Sequence, residues 1–539
     1  MKMHKYRYMK NLFKIVLLST IVVLCGCNKR ELNTKVSHAT GWNYHDKKTT
    51  NFQAIEGVTS GIPAGMVAIE GGSVTIGERD EFLTAPRNNA ARTLTVSSFY
   101  MDKYEITNLD WREYEQWMRM VFGDSDSTRR ALVNNVLPDT TVWREELAYN
   151  EPYLEYYYRH PAYSFYPIVG VSWKQAMAYC QWRTDRVNEL ALINCGEISI
   201  PPFAELQPID DEGMKDEWEQ SNPGYFMDSY EIADPDDPEN TVTWYRPSYE
   251  WVRDKFVFNT EKYLYNANYN PEFGKRPRVD EYGENRKIST ADGVLVVGYR
   301  LPTEAEWEFA AFAPVAEEGG LSIENKIYPW SGYHPRNMTG KLVGQMQANF
   351  IRGRGDMMGM SNALNDAYVI TGPVDAFMPN DFGLYNMAGN VNEWVMDVYR
   401  ETSSMEVAEY NSFRGNIYSR PIRDSINPVG CVPVEWKAED DKRDFKDGDL
   451  PSRIDTDYPL DTTWTDTINP RPDWKTDPTD ILVPRLSKEA RVYKGGSWKD
   501  RIYWLNPSNR RFLDENKSSN TIGFRCAMSI LGENKLGEY

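Results

Sequence analysis

What this chain lacks narrows its chemistry first. Its 539 residues include six cysteines and five histidines. No cysteine pair has C-x-x-C spacing, which argues against a thiolate zinc site. Beyond the first 26 residues only His38, His45, His160 and His334 remain, too few and too scattered for a histidine triad or a zinc cluster. No apolar run reaches the roughly 20 residues that span a bilayer. Positive charge is scarce as well: residues 1–26 hold five of the 61 basic residues and none of the 79 acidic ones, so their removal leaves a net charge of −23. Phosphate backbones would be repelled, and nucleic acid is not expected as a ligand.

The first residues carry an address. Lys2, Lys5, Arg7, Lys10 and Lys14 precede an apolar stretch from Ile15 to Val23, and Leu24-Cys25-Gly26-Cys27 follows. Basic, apolar and small-residue regions in that order form an export signal rather than a membrane span. A small residue directly before a cysteine is the pattern of a bacterial lipoprotein, with Cys27 lipidated and lipid as the anchor. Asn28-Lys29-Arg30 contains no acidic cluster, which favours retention on the periplasmic side of the outer membrane. The expected organisation is a signal peptide at 1–26, a lipidated flexible tether at 27–62, a body at 63–532 and a C-terminal tail at 533–539.

The body reads as α+β. Alternating runs on either side of Gly71-Gly72, from Met66 to Gly77, predict a hairpin, and Leu94–Tyr100 predicts a further strand. Trp111, Tyr114, Met118 and Val121 have helical spacing, with Asn108 before them and Gly123 as a stop. Ser172 caps a helix carrying Trp173, Ala176, Met177 and Cys180 on one face, so Cys180 is expected to be a buried thiol. Thr303 and Glu306 have capping-box spacing ahead of Trp307, Ala310 and Ala311. Stretches at about 201–292 and 401–490, rich in proline, acid and aromatics, read as insertions. They are expected to be ordered loops that present contact surfaces. Asp234–Glu239 reads as solvated surface, because its prolines and missing glycine do not suit a calcium loop. Cys180, Cys195, Cys431 and Cys526 allow three pairings, and spacing chooses none of them.

Six blocks in order carry a resemblance: Gly65-Met66-Val67 with Glu70-Gly71-Gly72, Val169–Trp173, Arg300–Glu308, Gly383–Trp394, Gly495–Trp498 and Gly523–Cys526. Together they resemble the formylglycine-generating, sulfatase-modifying family. That resemblance implies a compact α+β fold, low in regular structure and distantly C-type-lectin-like. Further segments, including Leu137–Arg144, Ala148–Tyr153, Arg159–Tyr163, Trp182–Glu189 and Gly495–Arg501, are similar to the gliding-motility lipoproteins of Bacteroidota. Members of that group are associated with the type IX secretion system and its periplasmic ring of GldK-like (PorK-like) and GldN-like (PorN-like) subunits.

The resemblance also implies site residues. The enzymes use two cysteines to hold copper, and matching the flanking glycines puts Asp500 and Leu505 at those places. Neither supplies a soft thiolate, so no copper is expected. Ser497 matches a serine beside the enzyme's site and is expected to lack an activating base, and Cys526 is expected to be structural. Calcium is implied at two sites through hard oxygen ligands. One would use the side chains of Asn349 and Asp366 with the carbonyls of Phe350 and Tyr368. The other would use the side chains of Asn386 and Glu393 with the carbonyls of Gly389 and Val391. The reading is a non-enzymatic lipoprotein that scaffolds other subunits or copies of itself, with Trp143, Tyr153, Tyr156–Tyr158, Trp436 and Trp464 as contact candidates. A lectin-like glycan or peptide binder and a residual oxidase are the alternatives.

Overall fold

The computed structural model describes residues 62–77, 91–123, 127–145, 148–200, 203–233, 241–265, 272–280, 282–314, 326–338, 340, 343–351, 368–399, 416–417, 441–442 and 489–531. The chain divides into two units, Met1–Val58 and Thr59–Tyr539, and every described residue lies in the second. Cys27 and all of the tether but Ile62 fall outside the described residues, as do Asp366, Cys431, Asp234–Glu239, the tail and nearly all of 401–490.

Two small sheets organise the body. β1 (Met66–Ile69) and β11 (Ala527–Ser529) both run antiparallel to β4 (Phe99–Asp102), which lies between them. The second sheet has the order β9 (Arg511–Asp514), β8 (Ala490–Lys494), β7 (Asn392–Val398), β10 (Ile522–Gly523). β10 runs parallel to β7 and pairs Gly523 with Glu393. This pairing delivers the following Phe524-Arg525-Cys526 segment to the buried end of β7.

The expected hairpin across Gly71-Gly72 does not form. β1 pairs with β4, whereas β2 (Gly72–Ile76) pairs with β3 (Arg92–Val96). The cause is a backbone crossing at Gly71, where a Cβ would lie 2.3 Å from the Val96 carbonyl oxygen. The Gly71 amide instead donates to Ser98 Oγ at 3.0 Å. Alternation specified two strands but not their partners. The expected single strand at 94–100 likewise breaks at Ser97-Ser98 and contributes to two different sheets.

The helices follow their caps. α1 (Asn108–Phe122) begins one residue earlier than its apolar spacing suggests, because Thr107 and Asp110 form a capping box; Gly123 ends it. α2 (Ser127–Val136) packs on α1. α3 (Trp173–Cys195) opens with a capping box between Ser172 and Gln175 and closes on Gly196 in the left-handed conformation. Trp173 Nε1 donates to the Val395 carbonyl at 2.8 Å, and Trp394 Nε1 to the Val171 carbonyl at 3.1 Å, fastening α3 to β7. One core surrounds Trp111, Tyr114, Tyr179, Trp182 and Phe524, with Trp111 stacked on Tyr179 at 5.4 Å.

The first insertion contributes to this core. It contains α4 (Glu212–Ser221) and a hairpin of β5 (Met227–Ala233) with β6 (Thr241–Pro247). Trp251, Val252 and Phe256 of the same insertion are buried with Trp111 and Phe122. Its proline-rich and acidic composition concealed these core aromatics. α5 (Glu304–Phe312) is capped by Thr303 and Glu306 as expected, and it packs Trp307 and Phe309 with Ile76, Leu94 and Val395 in a second core.

Candidate functional site

The link between β4 and α1, the loop before β7 and the segment after β10 meet at a buried polar centre. Glu393 enters it from β7 and Arg525 from the far side, and both are fully buried. Arg525 Nε donates to Glu393 Oε2 at 2.7 Å and Arg525 Nη2 to Oε1 at 2.5 Å. Trp307 Nε1 adds a bond to Oε2 at 2.7 Å. Both Glu393 oxygens are thus engaged by donors of the chain itself.

Beside this pair lies Glu105, 1% exposed. Asn386 Nδ2 and Asn390 Nδ2 each donate to its Oε2 at 2.9 Å. Burial, followed by the Glu393 charge, pushes the Glu105 carboxyl up to about 8, against the opposing pull of Arg525 and the two amides. Sequence reasoning missed Glu105. Its only local signal is its place two residues ahead of the α1 cap, while its amide partners lie 281 and 285 residues away.

The two expected oxygen sets are adjacent. Asn349 and Asn386 are buried, and the side-chain oxygen of each has no hydrogen-bond partner. An unmatched buried acceptor costs about 1–3 kcal/mol, so two of them within neighbouring loops call for an explanation. The loop is also strained in a consistent direction: Asn386, Gly389 and Asn390 have φ of 51°, 79° and 62°. A Cβ at Gly389 would lie 2.5 Å from the Asn349 carbonyl oxygen, so only glycine permits this approach. Asn390 joins the sets, donating to Glu105 while its own oxygen accepts from the Gly372 amide at 2.7 Å and from Asn349 Nδ2 at 3.4 Å. Phe350 and Val391 are buried here, and Tyr368 packs edge-on against Phe377. Hard, unmatched oxygens of this type fit a calcium-class cation.

Asp500 and Leu505, at the two positions matched to the copper-holding cysteines, and Ser497 beside them form a different arrangement. Asp500 Oδ1 and Oδ2 each accept from Arg511 at 2.7 Å in a bidentate pair. The Arg511 guanidinium also covers the Trp504 ring at 4.6 Å. Ser497 Oγ donates to Asp500 Oδ2 at 2.6 Å, so the serine is not isolated but is tied to a carboxylate. Burial would raise the Asp500 carboxyl, but Arg511, then Ser497 and Asn392, outweigh it and hold the carboxyl below its usual value, which makes it a weak base. Leu505 is fully buried with Tyr328, Ala348, Phe350 and Ala388. Hydrocarbon and a guanidinium-bound carboxylate therefore occupy the positions matched to the copper-holding thiolates.

Above this cluster Lys499 pairs with Glu145, and Trp143 stacks on Trp498 at 6.0 Å. Among the expected contact aromatics, Trp143, Tyr157 and Tyr158 are core residues, corrected by their burial; Tyr153 is partly buried; Tyr156 is 52% exposed; Trp436 and Trp464 lie outside the described residues. Phe165, 63% exposed, is an outward aromatic that sequence reasoning passed over. A separate surface pocket of about 340 Å³ is lined by Trp330, Gln345, Met346, Asp375, Phe377 and Met378 among others. No helix among the described residues is long and apolar enough to cross a membrane.

The fold is thus an α+β body with buried oxygen-rich loops beside the Ser497–Asp500–Arg511 cluster. The chain belongs to the family described as the sulfatase-modifying factor enzyme 1-like domain, whose model matches residues 51–530. It is 22% identical over 402 residues to the formylglycine-generating enzyme of Bos taurus, covering 72% of each chain. It is 32% identical over 209 residues to that of Mus musculus, covering 34% of this chain and 51% of the enzyme, so the match spans about half of that relative. The inactive C-alpha-formylglycine-generating enzyme 2 of Bos taurus is 38% identical over 104 residues, 19% of this chain and 28% of that protein. Among solved structures, PvdO from Pseudomonas aeruginosa aligns over 86% of this chain and 94% of its own, at 15% identity and a TM-score of 0.35.

Proposed function

We propose that this protein is a non-enzymatic, lipid-anchored component of the type IX secretion and gliding machinery, a GldJ-like lipoprotein. Cys27 would hold it to the outer membrane, facing the periplasm. There it would scaffold or stabilise the periplasmic ring of GldK-like (PorK-like) and GldN-like (PorN-like) subunits. The observation that carries the non-enzymatic part is the Asp500–Arg511 pair with Leu505 beside it: two soft ligands for copper are replaced by a hard carboxylate already bound to a cation and by a hydrocarbon. A relative named as inactive shows that this family includes members without the activity. The secretion assignment rests on the sequence similarity to the gliding-motility lipoproteins and on the export signal.

Calcium is the proposed structural cofactor. Asn386, Gly389, Val391 and Glu393 would line one site and Asn349, Phe350, Asp366 and Tyr368 the other. The unmatched oxygens of Asn349 and Asn386 support this reading. When bound, the ion would supply positive charge that pins the loops; it would carry out no reaction.

Deleting the gene in its host tests the role. Loss of type IX cargo from the medium, with reduced levels of ring subunits, is the expected result. Normal secretion together with copper-dependent oxygen uptake by the purified protein would refute it. A lectin-like binder is the second reading, favoured by the pocket beside Trp330, Gln345 and Asp375, which combines aromatic and amide groups in the manner of a glycan or peptide site.

A further inference from the structure

We infer that Glu105, which lies outside both motif-derived ligand sets, is the charged ligand of a calcium-class divalent cation held between the β4–α1 link and the loop preceding β7. This rests on the calcium reading above and changes which residue carries the charge. The motif set assigns that charge to Glu393. In the structure the Glu393 carboxylate is matched by Arg525 in a fully buried bidentate pair, with Trp307 on the same oxygen. One cation balances one anion there, and Glu105 remains as a second buried carboxylate whose contacts are neutral amides from Asn386 and Asn390. The nearby Lys103 ammonium is directed to the Tyr104 and Tyr385 rings, 5.4 Å from each centroid.

The second observation is the orphaned oxygen. Asn386, 6% exposed, uses its Nδ2 on Glu105 and on the Val374 carbonyl, while its Oδ1 has no partner. That Oδ1 shares a carbon with the Nδ2 that bonds Glu105 Oε2, so the two oxygens lie less than about 5 Å apart, and one calcium ion about 2.4 Å from each would bridge them on the side away from Nδ2. A buried carboxylate lacking a cation, next to a buried amide oxygen lacking a donor, forms two parts of one ligand shell. The left-handed backbone at Asn386, Gly389 and Asn390 turns this loop so that both asparagine amides meet Glu105.

The test uses the mature protein, stripped with a chelator and then titrated with calcium chloride. Bound metal is counted by elemental analysis, and thermal melts are recorded with and without calcium. The wild type is expected to bind calcium and to melt higher with it. Glu105→Gln, which keeps an acceptor for both amides, is expected to melt like the stripped wild type in chelator. Its calcium affinity at this site is expected to fall at least 100-fold, with loss of one equivalent of metal. Glu105→Asp, which keeps the charge on a shorter arm, is expected to bind about tenfold more weakly and provides the test should the Gln variant not fold. Calcium binding of wild-type strength and stoichiometry in the variants would overturn the assignment to Glu105 while leaving the calcium reading intact. A wild type that binds no calcium would overturn both.

Discussion

Replacing Arg525 with methionine probes the centre of the body directly. The guanidinium makes two bonds to Glu393 and donates through Nη2 to the Tyr385 carbonyl at 2.8 Å and through Nη1 to the Asp102 carbonyl at 3.2 Å. It thereby connects β4, the loop before β7 and β7 itself. Methionine fills much of the volume but leaves the Glu393 carboxylate fully buried, held by Trp307 alone and facing the Glu105 carboxylate. Removing one partner of a buried ion pair costs about 3–5 kcal/mol, because the remaining charge is desolvated and unmatched. Two carbonyls also lose donors, so the expected loss is at the upper end, about 5 kcal/mol. The assay is equilibrium urea unfolding of the mature protein in chelator, monitored by tryptophan fluorescence. Arg525→Lys should lose less, since it keeps the charge but not the fork. A methionine variant within about 1 kcal/mol of wild type would refute the claim that this pair organises the body.

The remaining predictions concern separate parts of the molecule. Cys180 Sγ and Cys526 Sγ lie 3.4 Å apart in the core, 346 residues apart in sequence. If the chain is exported as proposed, oxidation by a thiol–disulfide oxidoreductase there should take two hydrogens from the two thiols and form a disulfide. Intact mass after reduction should rise by about 2 Da, and closing so long a loop should stabilise by about 6 kcal/mol in the chain-entropy account; an unchanged mass refutes it. Asp500→Ala should cost about 2–3 kcal/mol in urea unfolding, because Arg511 and Ser497 lose their common acceptor; a neutral effect would mean the pair is an incidental surface contact. Glu304 should set an acid limit. Burial would raise its carboxyl, but Arg510, Lys494 and Arg92 outweigh burial and lower it from 4.5 to about 2. Its contribution, on the order of 3 kcal/mol, should be complete above pH 4.5 and vanish as the pH falls toward 2. The stability difference between wild type and Glu304→Gln should narrow across that window, and a pH-independent difference would refute it.

Local structure was legible wherever one short segment determines it. The Ser172 and Thr303 caps and the buried face of α3 could be read because their partners lie within one or two helical turns. Strand partnership could not be read, since β1 and β2 diverge at Gly71 to meet β4 and β3, and this depends on a backbone crossing that no local pattern encodes. The insertion at 201–292 was misjudged for a related reason: proline and acid dominate its composition, but its few aromatics, Trp251 and Phe256 among them, are the residues that reach the core. Asn349 and Asn386 stood out through their motif, and both are buried with an unmatched side-chain oxygen. Glu105 did not stand out, because a single glutamate between a strand and a helix acquires meaning only when Asn386, Asn390 and Glu393 are brought around it.

The central claim is that a fold of the formylglycine-generating family serves here as a structural part of a secretion ring. Its most direct test is gentle detergent purification of the tagged lipoprotein from outer membranes, with mass spectrometry of the co-purifying proteins and electron microscopy of the particles. The account predicts ring-shaped particles containing GldK-like and GldN-like subunits. A monomer carrying only lipid, with no secretion component attached, would contradict it.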